Sequence, residues 1–213
     1  MILLTPRVDP TPRRADKAAT SPGAQRLRLA PLLVIGGLGA LAFAVENAHQ
    51  NWSALYLRDV VGAGAAVAAA GPAVFAGVVA VTRFVTGSLT GRRPRLVLVG
   101  GAVLAGVGTA LVAATSRLAV ALAGLALAAA GTAVLFRTLI VVLTAQVSDR
   151  VRGTATSAVT TVSYLGFIAG PAYVGVWADA VGLPGAMLAV AALALVLATL
   201  VAATVRSRIP SPR

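Results

Sequence analysis

From Leu29 onward the chain alternates long apolar runs with short polar breaks. The first run covers Leu29 to Val45 and continues, with a polar stripe, through Glu46 to Leu57. The others cover 63–81, with Arg83 at the end, then 96–115, 118–143, 154–178 and 185–204. Between them lie Gly91-Arg92-Arg93-Pro94-Arg95, Ser116-Arg117, Ser148 to Gly153 and Asp179 to Pro184. A bilayer span takes about 20 apolar residues. These runs are too long for strands and too uniformly apolar for amphipathic surface helices. The pattern predicts an all-α integral membrane protein with six transmembrane helices over 29–205, each satisfying its own backbone polar groups. Residues 1–28, rich in Pro, Thr, Ser and charge, predict a solvated tail or linker, and 206–213 a short C-terminal tail.

Composition agrees with that pattern. Hydrophobic residues make up 58% of the 213 positions before the 22 Gly are counted, where soluble domains reach roughly 45–50% with Gly included. The charged share of 11% excludes both an ordinary soluble domain and a disordered chain. There is no Cys and a single His, His49. Disulfides, thiolate metal sites, Cys nucleophiles and imidazole clusters are thereby excluded. One Lys against 17 Arg, with abundant Ala and Val, points to the coding bias of a GC-rich bacterial genome and so to a bacterial plasma (inner) membrane.

The net charge of +12 would suggest nucleic acid in a soluble protein. Its distribution gives another reason. Arg7, Arg13, Arg14, Lys17, Arg26 and Arg28 of the N-terminal tail fall on one side of the six-span topology. So do Arg92, Arg93 and Arg95, then Arg150 and Arg152, then Arg206, Arg208 and Arg213. The other side receives Arg58 and Arg117. Positive charge marks the cytoplasmic side, so both termini are expected in the cytoplasm. The charge then reports topology and affinity for the lipid bilayer, with no nucleic acid implied.

Ionisable groups inside the runs are the candidates for chemistry, because each is costly to bury. Glu46 follows 17 apolar residues, which places it near the outer end of the hydrocarbon core. Glu46, Gln50 and Ser53 share a helix face, with His49 at its edge. Two readings are open: a proton-accepting or substrate-contacting carboxylate at a cavity mouth, or an interfacial helix end with Trp52 and Tyr56 as belt anchors. Arg137 and Arg83 lie inside or at the edge of runs, either functional or snorkelling to the interface. Tyr164, with Ser163, Thr160 and Thr161, gives the fifth run a polar patch. Gly166 and Gly170, like Gly124 and Gly131, have the spacing of close helix contacts. Gly170-Pro171 and Gly71-Pro72 predict helix bends. No residue set suggests a metal or a cofactor.

Three segments carry a resemblance. Glu46-Asn47-Ala48-His49-Gln50-Asn51-Trp52-Ser53-Ala54-Leu55-Tyr56-Leu57 is similar to the E…W-S-A-L-Y-L stretch of a seventh helix, and Ser163 to Asp179 resembles an eleventh helix. Gly87-Ser88-Leu89-Thr90-Gly91-Arg92-Arg93-Pro94-Arg95 resembles a short cytoplasmic loop, G-x-L-x-D-R-x-G-R. In it, Gly87, Leu89, Arg92 and Arg95 remain, Gly91 replaces the usual Asp and Pro94 the second Gly. Together they resemble the C-terminal six-helix half of a major facilitator superfamily transporter, in the bacterial sugar-permease-like or efflux-like branch.

That resemblance implies a half-bundle of two three-helix repeats. It also implies secondary active, proton-coupled transport of a small solute by alternating access, as a symporter or antiporter permease. It places Glu46, Gln50, Arg137 and Tyr164 on helices that line the central cavity or its gates. A second six-helix half, in a separate chain or a homodimer, is the implied partner. A non-transporting assembly subunit or an inert truncated fragment is the alternative. An enzyme is not expected: no Gly-x-Ser-x-Gly nucleophile accompanies His49, and Asp149 and Asp179 both fall in breaks.

Overall fold

The computed structural model describes residues 29–87 and 92–206. The predicted tail at 1–28, positions 88–91 of the loop and positions 207–213 lie outside the described residues. The helices are α1 (Leu29–Asp59), α2 (Ala65–Ala68), α3 (Ala70–Val85), α4 (Pro94–Ala113), α5 (Leu118–Ala133), α6 (Leu135–Thr144) and α7 (Asp149–Arg206). Among the described residues there is no strand. Five stretches are long and apolar enough to cross a membrane: Leu29–Asp59, Ala65–Val85, Pro94–Ala113, Leu118–Thr144 and Asp149–Thr204.

The breaks within these stretches have local causes. Pro72 has no N–H for the Ala68 carbonyl, and α2 gives way to α3 at Ala69. Between α5 and α6, Thr138 Oγ1 donates to Val134 O at 2.5 Å and Thr132 Oγ1 to Ala129 O at 3.1 Å. Such back-bonding loosens a helix turn. Pro171 stays inside helical geometry, and the non-helical residue of α7 is Gly182, at φ 75° and ψ 170°. Positive φ favours a residue without Cβ. Tyr173 Oη donates to Ala189 O at 3.1 Å, although a straight helix would put those residues about 24 Å apart. The chain therefore doubles back at Gly182, inside the predicted 179–184 break.

Small residues set the packing. Gly36 lies against Val162, Gly166 against Ala40, and Gly170 against Ala44, so α1 runs parallel to the 149–181 arm of α7. A Cβ on Gly170 would lie 2.9 Å from Ala44 O. Gly101 faces Gly131, and Gly108 faces Gly124, so α4 and α5 run antiparallel. Close backbone approach at small residues is how helices associate where lipid supplies no hydrophobic drive. One core cluster gathers Leu32, Ile35, Leu98, Leu139 and Leu197, and another gathers Val45, Tyr56, Leu125, Met187 and Val190. α3 is the least enclosed helix: Gly71, Phe75 and Val79 are its buried residues, while Phe84 is 90% exposed. An apolar outward face suits lipid contact.

The helix of α1 continues unbroken to Asp59, with Glu46 close to the middle of it. The polar stripe does not face water: Glu46, Asn47, His49 and Ser53 are all buried. Tyr56 is no interfacial anchor either. It is buried, and its hydroxyl donates to Val112 O at 2.7 Å.

Candidate functional site

Several of the polar residues of α1 find partners inside the bundle, while Ser53 Oγ is buried without a hydrogen-bond partner. Asn47 Nδ2 donates to Phe167 O at 2.5 Å. His49 Nδ1 lies 2.8 Å from Val45 O and must carry the proton, since a carbonyl only accepts. Its Nε2 lies 3.0 Å from Thr109 Oγ1, and the ring stacks on Phe75 at 5.1 Å. Asn51 Nδ2 donates to Asn47 O at 2.9 Å. These contacts tie α1 to α4 and α7 and hold the next residue in place.

That residue is Glu46. Arg83 Nη2 donates to its Oε1 at 3.1 Å and to its Oε2 at 3.3 Å. Gln50 Nε2 adds a bond to Oε1 at 3.3 Å. The glutamate side chain is 9% exposed and that of Arg83 44%, so a sheltered carboxylate is met by a guanidinium reaching in from a more exposed position. Arg83 is braced by its Nε, which donates to Ala133 O at 3.3 Å. Its own carbonyl accepts from Arg137 Nη1 at 3.2 Å.

Around this pair lies a recess of about 390 Å³, reached by Phe43 and Glu46 of α1, Arg83 of α3, and Phe136 and Arg137 of α6. Tyr164 and Phe167 of α7 complete its lining. Phe43 is the centre of the aromatic lining, 4.4 Å from Phe136, 5.6 Å from Tyr164 and 6.3 Å from Phe167 by ring centroid. A larger recess of about 630 Å³ lies by Asn51, Trp52, Arg58 and Pro171. It is the poorer candidate, because its Arg58 is already held by Asp59 at 2.6 Å. Among the described residues no group of three His, Cys or carboxylate side chains converges to hold a metal.

Of the four sequence candidates, the structure places Glu46, Arg137 and Tyr164 on the recess and Gln50 against Glu46. Ser163 turns away, with Oγ 2.8 Å from Val159 O and 3.2 Å from Gly36 O. Gly170 and Pro171 stand apart from the recess: Gly170 packs on Ala44, and Pro171 lines the other cavity. From the loop, Gly87 lies beside the Arg137 guanidinium, where a Cβ would be 3.6 Å from Nη2. Arg92 and Arg95 are exposed at the start of α4, and 88–91 lie outside the described residues.

The sequence left Arg83 open between a functional and a snorkelling role and did not single out Phe43, Phe136 or Phe167. One signal pointed to Arg83: an acid inside an apolar run needs a cation, and few runs carry one. The phenylalanines carry no such signal, since lipid-facing and cavity-facing rings look alike in sequence.

No curated protein matches the sequence significantly. The sequence profile described as Major Facilitator Superfamily matches residues 32–213. The matched span takes in every element that builds the recess, and the chain, a multi-pass membrane protein, belongs to the major facilitator superfamily, whose members transport small solutes.

Proposed function

We propose that the chain carries out proton-coupled secondary transport of a small solute by alternating access, with the Glu46–Arg83 recess as the solute-binding and coupling site. The observation that carries this reading is the sheltered carboxylate of Glu46, held by one guanidinium and one amide at the wall of an open recess. A carboxylate in that position changes its interaction with Arg83 when it takes a proton. Coupling requires such a link between protonation and the shape of the site.

The reversal at Gly182 supports six spans, and with the distribution of the arginines the same reading puts both termini on the cytoplasmic side of a bacterial inner membrane. Tyr164 is 53% exposed and Phe167 41%, so the recess opens at the bundle surface. A second six-helix bundle, from another chain or a second copy, would close it as the two rock about a midplane site.

The test is proteoliposome reconstitution, alone and with a candidate partner half, with a pH-sensitive dye in the lumen. A transported solute should move protons with it. Glu46→Gln should abolish that proton movement while leaving downhill solute exchange. Proton movement unchanged in Glu46→Gln would remove the carboxylate from the mechanism.

A further inference from the structure

The charges around the recess do not cancel. Glu46 is matched by Arg83. Among the described residues no carboxylate lies within ion-pair distance of Arg137, whose Nη1 contact is a neutral backbone carbonyl, Arg83 O. A guanidinium carries five N–H donors in a planar fork suited to a carboxylate, so most of that fork remains available. Gly87 packs beside the guanidinium, where a Cβ would lie 3.6 Å from Nη2 and 3.8 Å from Nη1, an ordinary contact distance. The recess therefore presents one net positive charge beside a wall of aromatic rings.

Those rings are not fully used by the fold. Phe167 and Tyr164 meet edge to face at 6.2 Å, and both keep much of their surface exposed. Aromatic faces and edges of this kind accept a further flat ring. A volume of about 390 Å³ falls near the lower end of the roughly 300–1,000 Å³ of small-molecule pockets. A cation would meet two guanidinium groups before a carboxylate already bonded to Arg83 and Gln50. A polyol would find few hydrogen-bond partners among four rings.

Resting on the solute-site reading above, we infer that the recess selects a compact organic anion, its flat apolar body packed among Phe43, Phe136, Tyr164 and Phe167 and its carboxylate paired with Arg137. The same anionic chemistry could come from a lipid headgroup, and the test separates the two.

The full chain in phosphatidylcholine nanodiscs is titrated calorimetrically with phenylacetate, phenethylamine and 2-phenylethanol, which share a ring and differ in charge. Phenylacetate should bind most tightly. Arg137→Gln should weaken it about tenfold, the loss expected for one charge-assisted contact, while Arg137→Lys should keep part of the affinity. Phe43→Leu should weaken all three ligands together. Helicity by circular dichroism checks that each variant folds, and Arg137→Lys keeps the comparison available should Arg137→Gln not fold. Equal affinity for the amine, no binding of phenylacetate, or phenylacetate binding indifferent to Arg137 overturns the inference. A loss of phenylacetate affinity on replacing part of the lipid with phosphatidylglycerol would make a headgroup the occupant and overturn the solute assignment. Anion-selective binding without proton-linked uptake would count against transport and leave this inference standing. Proton-linked uptake without anion preference would do the reverse.

Discussion

The α4–α5 seam and the recess between α1, α3, α6 and α7 hold the same bundle together by opposite means. At the seam, Gly101, Gly108, Gly124 and Gly131 let two backbones touch, and the contact contains no charge. At the recess, large rings and three charged side chains keep the helices apart, and the closest link between α1 and α3 there is an ion pair. The seam is rigid because nothing larger than hydrogen fits. The recess is more open, and its main link is an ion pair whose arginine side chain is 44% exposed. Moving parts are drawn from the less tightly packed regions of a protein, so the proposed transport cycle would place its motion on the recess side.

The contrast breaks most sharply at a glycine. A Cβ on Gly131 would lie 2.5 Å from Gly101 O, and backbone there cannot yield as a side chain can. Gly131→Val should cost about 3 kcal/mol or more, the upper end of overpacking penalties, and should lower the melting temperature in detergent by circular dichroism. A variant that melts like wild type would mean that the seam is loose.

Next in size is the ion pair. Removing one partner of a fully buried pair costs about 3–5 kcal/mol, but Arg83 is 44% exposed, so screening brings the expected cost of Arg83→Ala to about 2 kcal/mol. The double variant Glu46→Gln/Arg83→Gln should recover most of that loss in the same melt, because no charge is left unpaired. If the double variant is as unstable as the sum of its parts, the two side chains are not coupled.

Tyr56→Phe removes the buried bond to Val112 O, a carbonyl that keeps a longer bond from Thr115 N at 3.3 Å, for about 1 kcal/mol. Since Tyr56 lies away from the recess, ligand binding should not change. The smallest effect is opposite in sign. Gly37 has nothing within 4 Å of its Cβ position, and Gly37→Ala should stabilise α1 by about 0.5–1 kcal/mol. Its neighbour Gly36 would place a Cβ 2.7 Å from Val162 Cβ, so Gly36→Ala should destabilise. A pair of melts that moved in the same direction would show that α1 does not pack on α7 as described.

Much of the bundle is legible in the sequence because lipid leaves a chain few choices. Runs of about 20 apolar residues must be helices whose backbone groups pair within themselves, and Gly182 falls in a break that Asp179 and Pro184 already mark. The polar stripe of α1 is only half legible. Its helical spacing shows that Glu46 and Gln50 share a face, and they do bond. Whether that face meets water or protein depends on Phe167, Thr109 and Val112, which are 56 or more residues away.

The sequence by itself determined an all-helical, multi-pass membrane protein with one carboxylate in the interior of an apolar run, since both follow from the cost of moving backbone and charge out of water. Only the tertiary structure decided that Arg83 is the partner of that carboxylate, that Arg137 is left with charge to spare, and that Phe43, Phe136 and Phe167 face a recess. A residue's type sets what it costs to bury it. Which side chain offsets that cost depends on where the other helices pass, and the spacing along one helix cannot reveal it.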